Sequence, residues 1–546
     1  MKRTDFSVDW LFAACAPDTE LLPWNAQFTP VDLPHDWQIR HADDLYRDGT
    51  LFYRKYFFVT DVPGTRRMLW FGGTYMDTTV FVNGTEVGQW KYGYTSFWFD
   101  ITDALHEGQN EVLVRCNLRH PNSRWYSGAG LYRNVELWEA PDLHLMPDGL
   151  YVAAKEGDNG AWTVAVTAEA GSVTAASTGR TLTLHLTDDN GSLLGTAAIP
   201  ADAWAALPSP DGWRTGKETA IYKASHTFTL QDPALWDLDA PSFYHITAEL
   251  TGADGVTDTL TTRFGCRTIE ATPDCGLLVN HKRVLIKGVC IHHDFGCLGS
   301  AFEYSAAKRQ LEILKSMGVN SIRTGHTPPA PQFMDLADEM GVLMDVESFD
   351  CWRSGKNPYD YGRFFDEWQE KDVAAWIRRD RNHPSLLFWC IGNEIYDTHA
   401  GPEGADTMRM LLAEVAAHDP ARNGIPTLGS NYMPWENTQH CADIIKVAGY
   451  NYGERLYASH HEKHPDWVIY GSETSSIVQS RGIYHFPLSQ SLLSDDDLQC
   501  SSLGNSRTSW GAESWDICLQ SEQRWPFTLG QYLWAGWDYI GEPTPY

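Results

Sequence analysis

Through residues 1–141 short runs alternate apolar and polar positions, as in Phe52-Tyr53-Arg54-Lys55-Tyr56-Phe57-Phe58-Val59 and Thr78-Thr79-Val80-Phe81-Val82. Successive side chains of a strand point to opposite faces, so this alternation predicts strands with one buried face. Turn signals at Pro63-Gly64, Gly72-Gly73 and Asn83-Gly84 separate the runs, and together they predict a sandwich or jelly roll. Residues 142–268 repeat the pattern more weakly. Leu182-Thr183-Leu184-His185-Leu186 and Tyr244-His245-Ile246-Thr247-Ala248-Glu249-Leu250 read as strands and Asp189-Asn190-Gly191 as a turn, which predicts a smaller, immunoglobulin-like sandwich.

From about residue 269 strand signals alternate with helical periods such as Ala306 to Met317 and Phe364 to Arg378. That texture implies a parallel sheet covered by helices. Strand candidates lie at 285–289, 321–324, 342–346, 386–389, 426–429, 446–450, 468–471 and 532–535. Eight strands make a (β/α)₈ TIM barrel over 269–546. The chain stops at Tyr546, just past the eighth strand, so the barrel is expected to lack its final helix and to leave strands one and eight uncovered.

The chain has 546 residues, and a domain size of about 150 residues makes three domains a natural division. A net charge of −29 repels phosphate backbones and anionic membranes, so no nucleic acid or membrane partner is expected. The 11 cysteines are scattered and form no C-x-x-C pair, which reads as reduced thiols in a cytoplasmic protein. Trp10 to Ala16 is too short and too close to Asp5 and Asp9 for a secretory signal, and no run is long enough for an ordinary transmembrane helix. Aromatic residues make up 13% of the chain, and flat rings suit the C–H faces of sugars, although most will be core.

Two segments carry the chemistry. Trp389-Cys390-Ile391-Gly392-Asn393-Glu394 and Gly471-Ser472-Glu473-Thr474-Ser475-Ser476 each place a glutamate at the end of an apolar run, 79 residues apart. An arbitrary glutamate is a rim carboxylate in an ion pair. These two end the fourth and seventh strands, on the rim where such barrels do chemistry. Glycoside cleavage needs two carboxylates, one to donate a proton and one to attack or to activate water.

At these residues the chain resembles glycoside hydrolase family 2, which holds β-galactosidases, β-glucuronidases and β-mannosidases. Asp380-Arg381-Asn382-His383-Pro384-Ser385-Leu386-Leu387-Phe388-Trp389-Cys390-Ile391-Gly392-Asn393-Glu394 is similar to its acid/base signature, with Cys390 where Gly or Ser is usual. Asn320 to Pro329 resembles a second signature, with Gly325 and Thr327 as departures. Leu33-Pro34-His35-Asp36-Trp37, Trp125 to Arg133, and Leu235-Trp236 with Pro241 and Tyr244 extend the resemblance from about residue 30 onward.

The resemblance implies a retaining mechanism with Glu473 as nucleophile and Glu394 as general acid, then base. It further implies that Asn393 bonds the sugar 2-hydroxyl, that Asp294, His292 and His326 meet glycone hydroxyls, and that Tyr452 bonds the nucleophile. Trp534 would floor the glycone pocket, and Glu347 would orient neighbouring groups. Among relatives, self-association is common, which implies a homo-oligomer, and some use Mg²⁺ or Na⁺. No cofactor is taken as required. His292-His293-Asp294 could hold a metal, but adjacent strand residues point to opposite faces, so no metal site is assigned. His460-His461-Glu462-Lys463-His464 lacks the spacing of a metalloprotease and reads as a solvated helix face; Ser494 to Asp497 reads as a charged loop.

Lys287 to Gly296 and the ending Trp537 to Tyr546 look more like the β-galactosidase branch. The expected activity is therefore exo-hydrolysis of terminal β-galactosides, the carbohydrate being the partner. β-Glucuronidase or β-galacturonidase is the alternative, and a catalytically impaired carbohydrate-binding protein is the rival from another class.

Overall fold

The computed structural model describes every residue except 42, 61–63, 174–178, 208–211, 253–254, 478, 495–498 and 541–546. Pro63 of the first expected turn, the charged run at 495–497 and the end of the chain from 541 therefore lie outside the described residues.

The first part of the chain is a pair of antiparallel sheets. One is ordered Lys2–Asp5, Val135–Pro141, Thr65–Phe71, Phe97–Asp100. The other, of six strands, centres on Gly49–Val59 paired with Gly108–Leu118. Their inner faces share Leu51, Tyr53, Val112, Val114, Leu69 and Phe71, all buried. A second pair of sheets follows, built around Ala161–Ser172 against Ala220–Gln231 and Thr181–Asp188 against Tyr244–Gly252. A three-stranded meander, Ile269–Thr272, Gly276–Val279 and Lys282–Val284, leads into the last domain.

That domain is a closed parallel barrel of β1 (Ile286–Ile291), β2 (Ser321–Thr324), β3 (Leu343–Glu347), β4 (Leu386–Asn393), β5 (Ile425–Ser430), β6 (Val447–Asn451), β7 (Val468–Ser475) and β8 (Gly530–Trp534). Its helices are α1 (Tyr304–Ser316), α2 (Pro331–Met340), α3 (Phe365–Asp380), the single turn α4 (Asp397–Ala400), α5 (Glu403–His418), α6 (Glu436–Ile445), α7 (Tyr457–Lys463) and α8 (Trp515–Arg524). Proline opens α2 at its first turn, where its missing N–H costs nothing, and Gly341 closes it at φ 63°. A Cβ on Gly341 would lie 2.2 Å from the Leu238 carbonyl, so the same glycine lets the second domain dock.

The expected eight-stranded barrel is present, and its ring is closed. The register Ile286↔Gly530, Lys287↔Gln531, Gly288↔Tyr532, Val289↔Leu533 pairs β1 with β8 and completes the ring. Backbone pairing closes a barrel without any help from a covering helix. The His460 segment differs from expectation. His460 is buried and meets Tyr450 OH at 2.9 Å, His461 stacks on Phe527 at 3.9 Å, and His464 stacks on Trp467 at 3.8 Å. Imidazole has an apolar face that a bare polar count misses. No helix of the described residues is long and apolar enough to cross a membrane.

The domains are bound tightly to one another. Thr95 Oγ1 donates to Asp372 at 2.7 Å, Arg133 Nη2 donates to the Pro328 carbonyl at 2.9 Å, and Tyr151 OH donates to Asp419 at 2.6 Å. The first two contacts fix the first domain against the barrel, and the third holds the second domain.

Candidate active site

Barrel interiors are lined by alternate residues of each strand, so a polar side chain there must be paired. Arg323 on β2 is fully buried, and its guanidinium organises the mouth of the barrel. Nη1 donates to Glu473 Oε1 at 2.8 Å, and Nη2 donates to Asn393 Oδ1 at 3.0 Å and to Glu347. The second oxygen of Glu473 accepts from Tyr452 OH at 2.8 Å. Glu347 in turn meets His326 Nδ1 at 2.7 Å and accepts from the Cys390 thiol at 3.3 Å. One guanidinium thus joins the ends of β3, β4 and β7.

Glu394, the residue after β4, stands at φ 45°, and Tyr452, after β6, at φ 54°. This left-handed conformation turns each strand end sharply over the mouth, at a steric cost that only glycine avoids. Glu394 Oε1 accepts from Asn451 Nδ2 at 3.1 Å, and the same amide donates to Asn393 Oδ1 at 3.0 Å. Glu394 Oε2 accepts at 3.3 Å from Arg124 Nη1, which comes from the first domain. Arg124 also grips Asp350 through Nη2 and Nε at 3.1 and 3.4 Å, while Lys356 Nζ reaches Asp350 at 2.7 Å and the Asn393 carbonyl at 2.9 Å.

Burial raises the Glu473 carboxyl, Arg323 pulls it down and Glu394 adds to the rise; the net direction is upward. Glu347 is pushed well up by burial in spite of Arg323. Asp350 moves the other way, because Arg124 and Lys356 outweigh its burial and hold it well below the ordinary carboxylate range. Burial lowers His292 to about 3, takes His326 well below its usual value, and raises Asp294 to about 6.

A cavity of about 590 Å³ opens between the first domain and the barrel, lined by Trp125, His292, His326, Asp350, Asn122 and Tyr361 among others. Trp534 stacks parallel to His326 at 5.1 Å and lies 5.3 Å from Trp125. Among the described residues, the buried nitrogens His292 Nε2, His326 Nε2 and Trp125 Nε1 have no hydrogen-bond partner. Buried polar atoms are rarely left unpaired, so a wall with several of them suits a ligand rich in hydroxyl groups.

Of the residues singled out from sequence, Glu394, Glu473, Asn393, His326, Tyr452 and Glu347 converge in one hydrogen-bonded network, and Trp534 and His292 line up beside it. Asp294 bonds to Gly296 N of its own loop at 3.3 Å, and no hydrogen bond joins it to either glutamate among the described residues. His293 turns away from His292 and meets the Ser127 carbonyl at 3.0 Å. Asp335, Asp338 and His383 cluster outside this site, where Arg263 lies 3.2 Å from Asp338.

Sequence reasoning missed Arg323, Asn451, Asp350, Lys356 and Arg124. A signal existed for the first two, since each is a polar residue inside a barrel strand and needs a buried partner. Arg124 carried none, because its role depends on how two domains dock.

Residues 271–461 match the TIM barrel domain of glycosyl hydrolases family 2, and residues 148–267 match a further domain of glycosyl hydrolases family 2. Beta-galactosidase BoGH2A of Bacteroides ovatus is 33% identical over 100% of this chain and 68% of its own length. A beta-glucuronidase of Bacteroides fragilis is 26% identical over 94% of this chain and 75% of its own. The solved glycosyl hydrolase family 2 member from Bacteroides cellulosilyticus superposes with a TM-score of 0.83 at 28% identity, over 99% of this chain and 66% of that one. Across four curated relatives the chain spans 37% to 75% of their lengths.

Proposed function

The chain belongs to glycosyl hydrolase family 2, and from that premise we propose that it is a retaining exo-β-galactosidase. The observation that carries the reading is the joint seating of two glutamates at the barrel mouth, linked to one another through Arg323, Asn393 and Asn451. Glu473 is pinned through both oxygens, by Arg323 and by Tyr452, as a nucleophile must be to attack along one line. Glu394 is held by Asn451 and Arg124.

In the first step the Glu473 carboxylate bonds to the anomeric carbon as the bond to the leaving oxygen breaks, and Glu394 gives that oxygen its proton. In the second, Glu394 takes a proton from water, which attacks the same carbon and releases Glu473. Arg323 stabilises the Glu473 carboxylate when it is ionised. Asn393 offers its amide to the sugar 2-hydroxyl, a bond that strengthens as positive charge develops on the ring. His292, His326 and Trp125 supply nitrogens to the remaining hydroxyls, and Trp534 supplies a flat floor.

A neutral glycone is favoured by charge. Arg124 and Lys356 are both engaged by Asp350, whose carboxylate stays ionised on the cavity wall and opposes a sugar carboxylate. The β-glucuronidase reading has its own support in the presence of those two cations. Initial rates on matched nitrophenyl β-galactoside and β-glucuronide separate the readings. Galactoside turnover that vanishes in Glu473→Gln is expected; preference for the glucuronide would overturn the glycone assignment, and turnover of neither, or full activity in the variant, would overturn the mechanism.

A further inference from the structure

An acid/base carboxyl marks the side on which the leaving group departs, because its proton must reach the leaving oxygen. The surface next to Glu394 is therefore where the rest of a substrate lies. Four rings form a continuous shelf there, contributed by the segments after β4 and β5. Tyr396 opens α4, His399 lies within it, Tyr432 follows β5, and Trp435 caps α6.

The rings touch in series. Tyr432 meets His399 at 4.0 Å and 31°, Tyr396 lies 6.2 Å from Tyr432, and Trp435 lies 5.5 Å from His399. Exposure grows outward: Tyr432 is half-buried, Tyr396 is 37% exposed and Trp435 57%. The inner end adjoins the catalytic acid: Tyr396 lies two residues past Glu394, whose N–H donates at 2.9 Å to the carbonyl of Gly429, three residues before Tyr432. Burial and then the charge of Glu394 push the Tyr432 hydroxyl up to about 12. Lys356, which bonds to Asp350, lies 5.9 Å from the Tyr396 ring and ties the shelf to the pocket. Aromatic side chains this exposed bury little of their own area in the fold, whereas sugar faces laid on them would.

Resting on the reading above, we propose that this shelf is the leaving-group subsite and that it takes a chain of neutral sugars rather than a single small aglycone. Tyr432 and Tyr396 hold the first leaving sugar beside Glu394, and Trp435 stacks against one further out. The glycone pocket admits one terminal residue, and the shelf makes the enzyme select what that residue is attached to.

The experiment compares nitrophenyl β-galactoside, β-1,4-galactobiose and β-1,4-galactotetraose as substrates of the wild type and of Trp435→Ala. The wild type is expected to prefer the tetraose to the biose by about tenfold or more in kcat/KM. Trp435→Ala should erase that preference through KM and leave the nitrophenyl substrate unchanged. Equal losses on all three substrates, or no chain-length preference in the wild type, would overturn the shelf. Calorimetric titration of galactotriose into Glu473→Gln and into the Glu473→Gln/Trp435→Ala double variant reads the shelf without catalysis. Weaker binding to the double variant upholds it even where nitrophenyl galactoside is not hydrolysed by the wild type, and equal binding overturns it even where that substrate is.

Discussion

Among the described residues, the groups that bond to the Glu473 carboxylate all belong to the barrel, whereas Glu394 is gripped from two domains. Arg323 rises from β2 and Tyr452 from the end of β6, on opposite sides of the closed ring, and the two meet across its mouth at Glu473, so the barrel alone sets their positions. Arg124 reaches Glu394 only because the first domain is docked over the mouth through contacts such as Arg133 to Pro328. A nucleophile has to be rigid and gains from scaffolding by one closed sheet. A proton donor changes charge twice per turnover and is seated between a neutral amide and a guanidinium.

The sharpest way to break this contrast is to remove one end. Glu473→Gln should lower kcat by on the order of 10⁴-fold or more for every substrate, because the amide cannot form the covalent bond to the sugar. Nitrophenyl assays check it, and equal activity would remove Glu473 from its role. Glu394→Ala should cost about 10²–10⁴-fold with poor leaving groups and far less with activated aryl ones, which depart with little protonation. A leaving-group series of substituted phenyl galactosides tests this, and a flat series would count against the acid role.

Arg124→Ala probes the link between domains. It should reduce kcat/KM by about 10–100-fold, the equivalent of ~1.5–3 kcal/mol for a charged hydrogen bond, without loss of the fold. Circular dichroism beside kinetics distinguishes the two. Glu169→Gln, on the second domain, should leave turnover nearly unchanged and act on stability alone. Burial pushes the Glu169 carboxyl up, but Arg378 and Arg214 more than reverse it, to about 2 from the usual 4.5. A depressed carboxylate stabilises above its unfolded pKa, so ~3 kcal/mol is present near neutral pH and lost as pH falls from about 4.5 to about 2. Thermal melts should therefore separate wild type and variant at pH 7 and converge as the pH falls toward 2.

The same contrast explains what was legible in the chain. The barrel strands stood out because the run to Trp389 and the run to Tyr470 are apolar and each leads to a glutamate, so the fold and the two glutamates at its mouth were readable from order along the chain. The pairing of β1 with β8 followed only from the count of eight strands, since it depends on ring closure over a separation of some 240 residues and leaves no local signal. Arg323 was visible as a letter but not as a hub, because one arginine in a strand does not say which acids surround it. Arg124 shows the limit most plainly, because a neighbour of the quoted Trp125 acquires a role only when another domain brings Glu394 to it.

The left-handed backbone at Glu394 and Tyr452 has an evolutionary reading. A glycine at either position would relax the local geometry, so random change and selection for sturdiness both push away from the side chains found there. Their presence is then a debt that the scaffold carries for the sake of turnover. Copies of this gene released from that demand are expected to lose these two residues early, while the ring of strands that holds them persists.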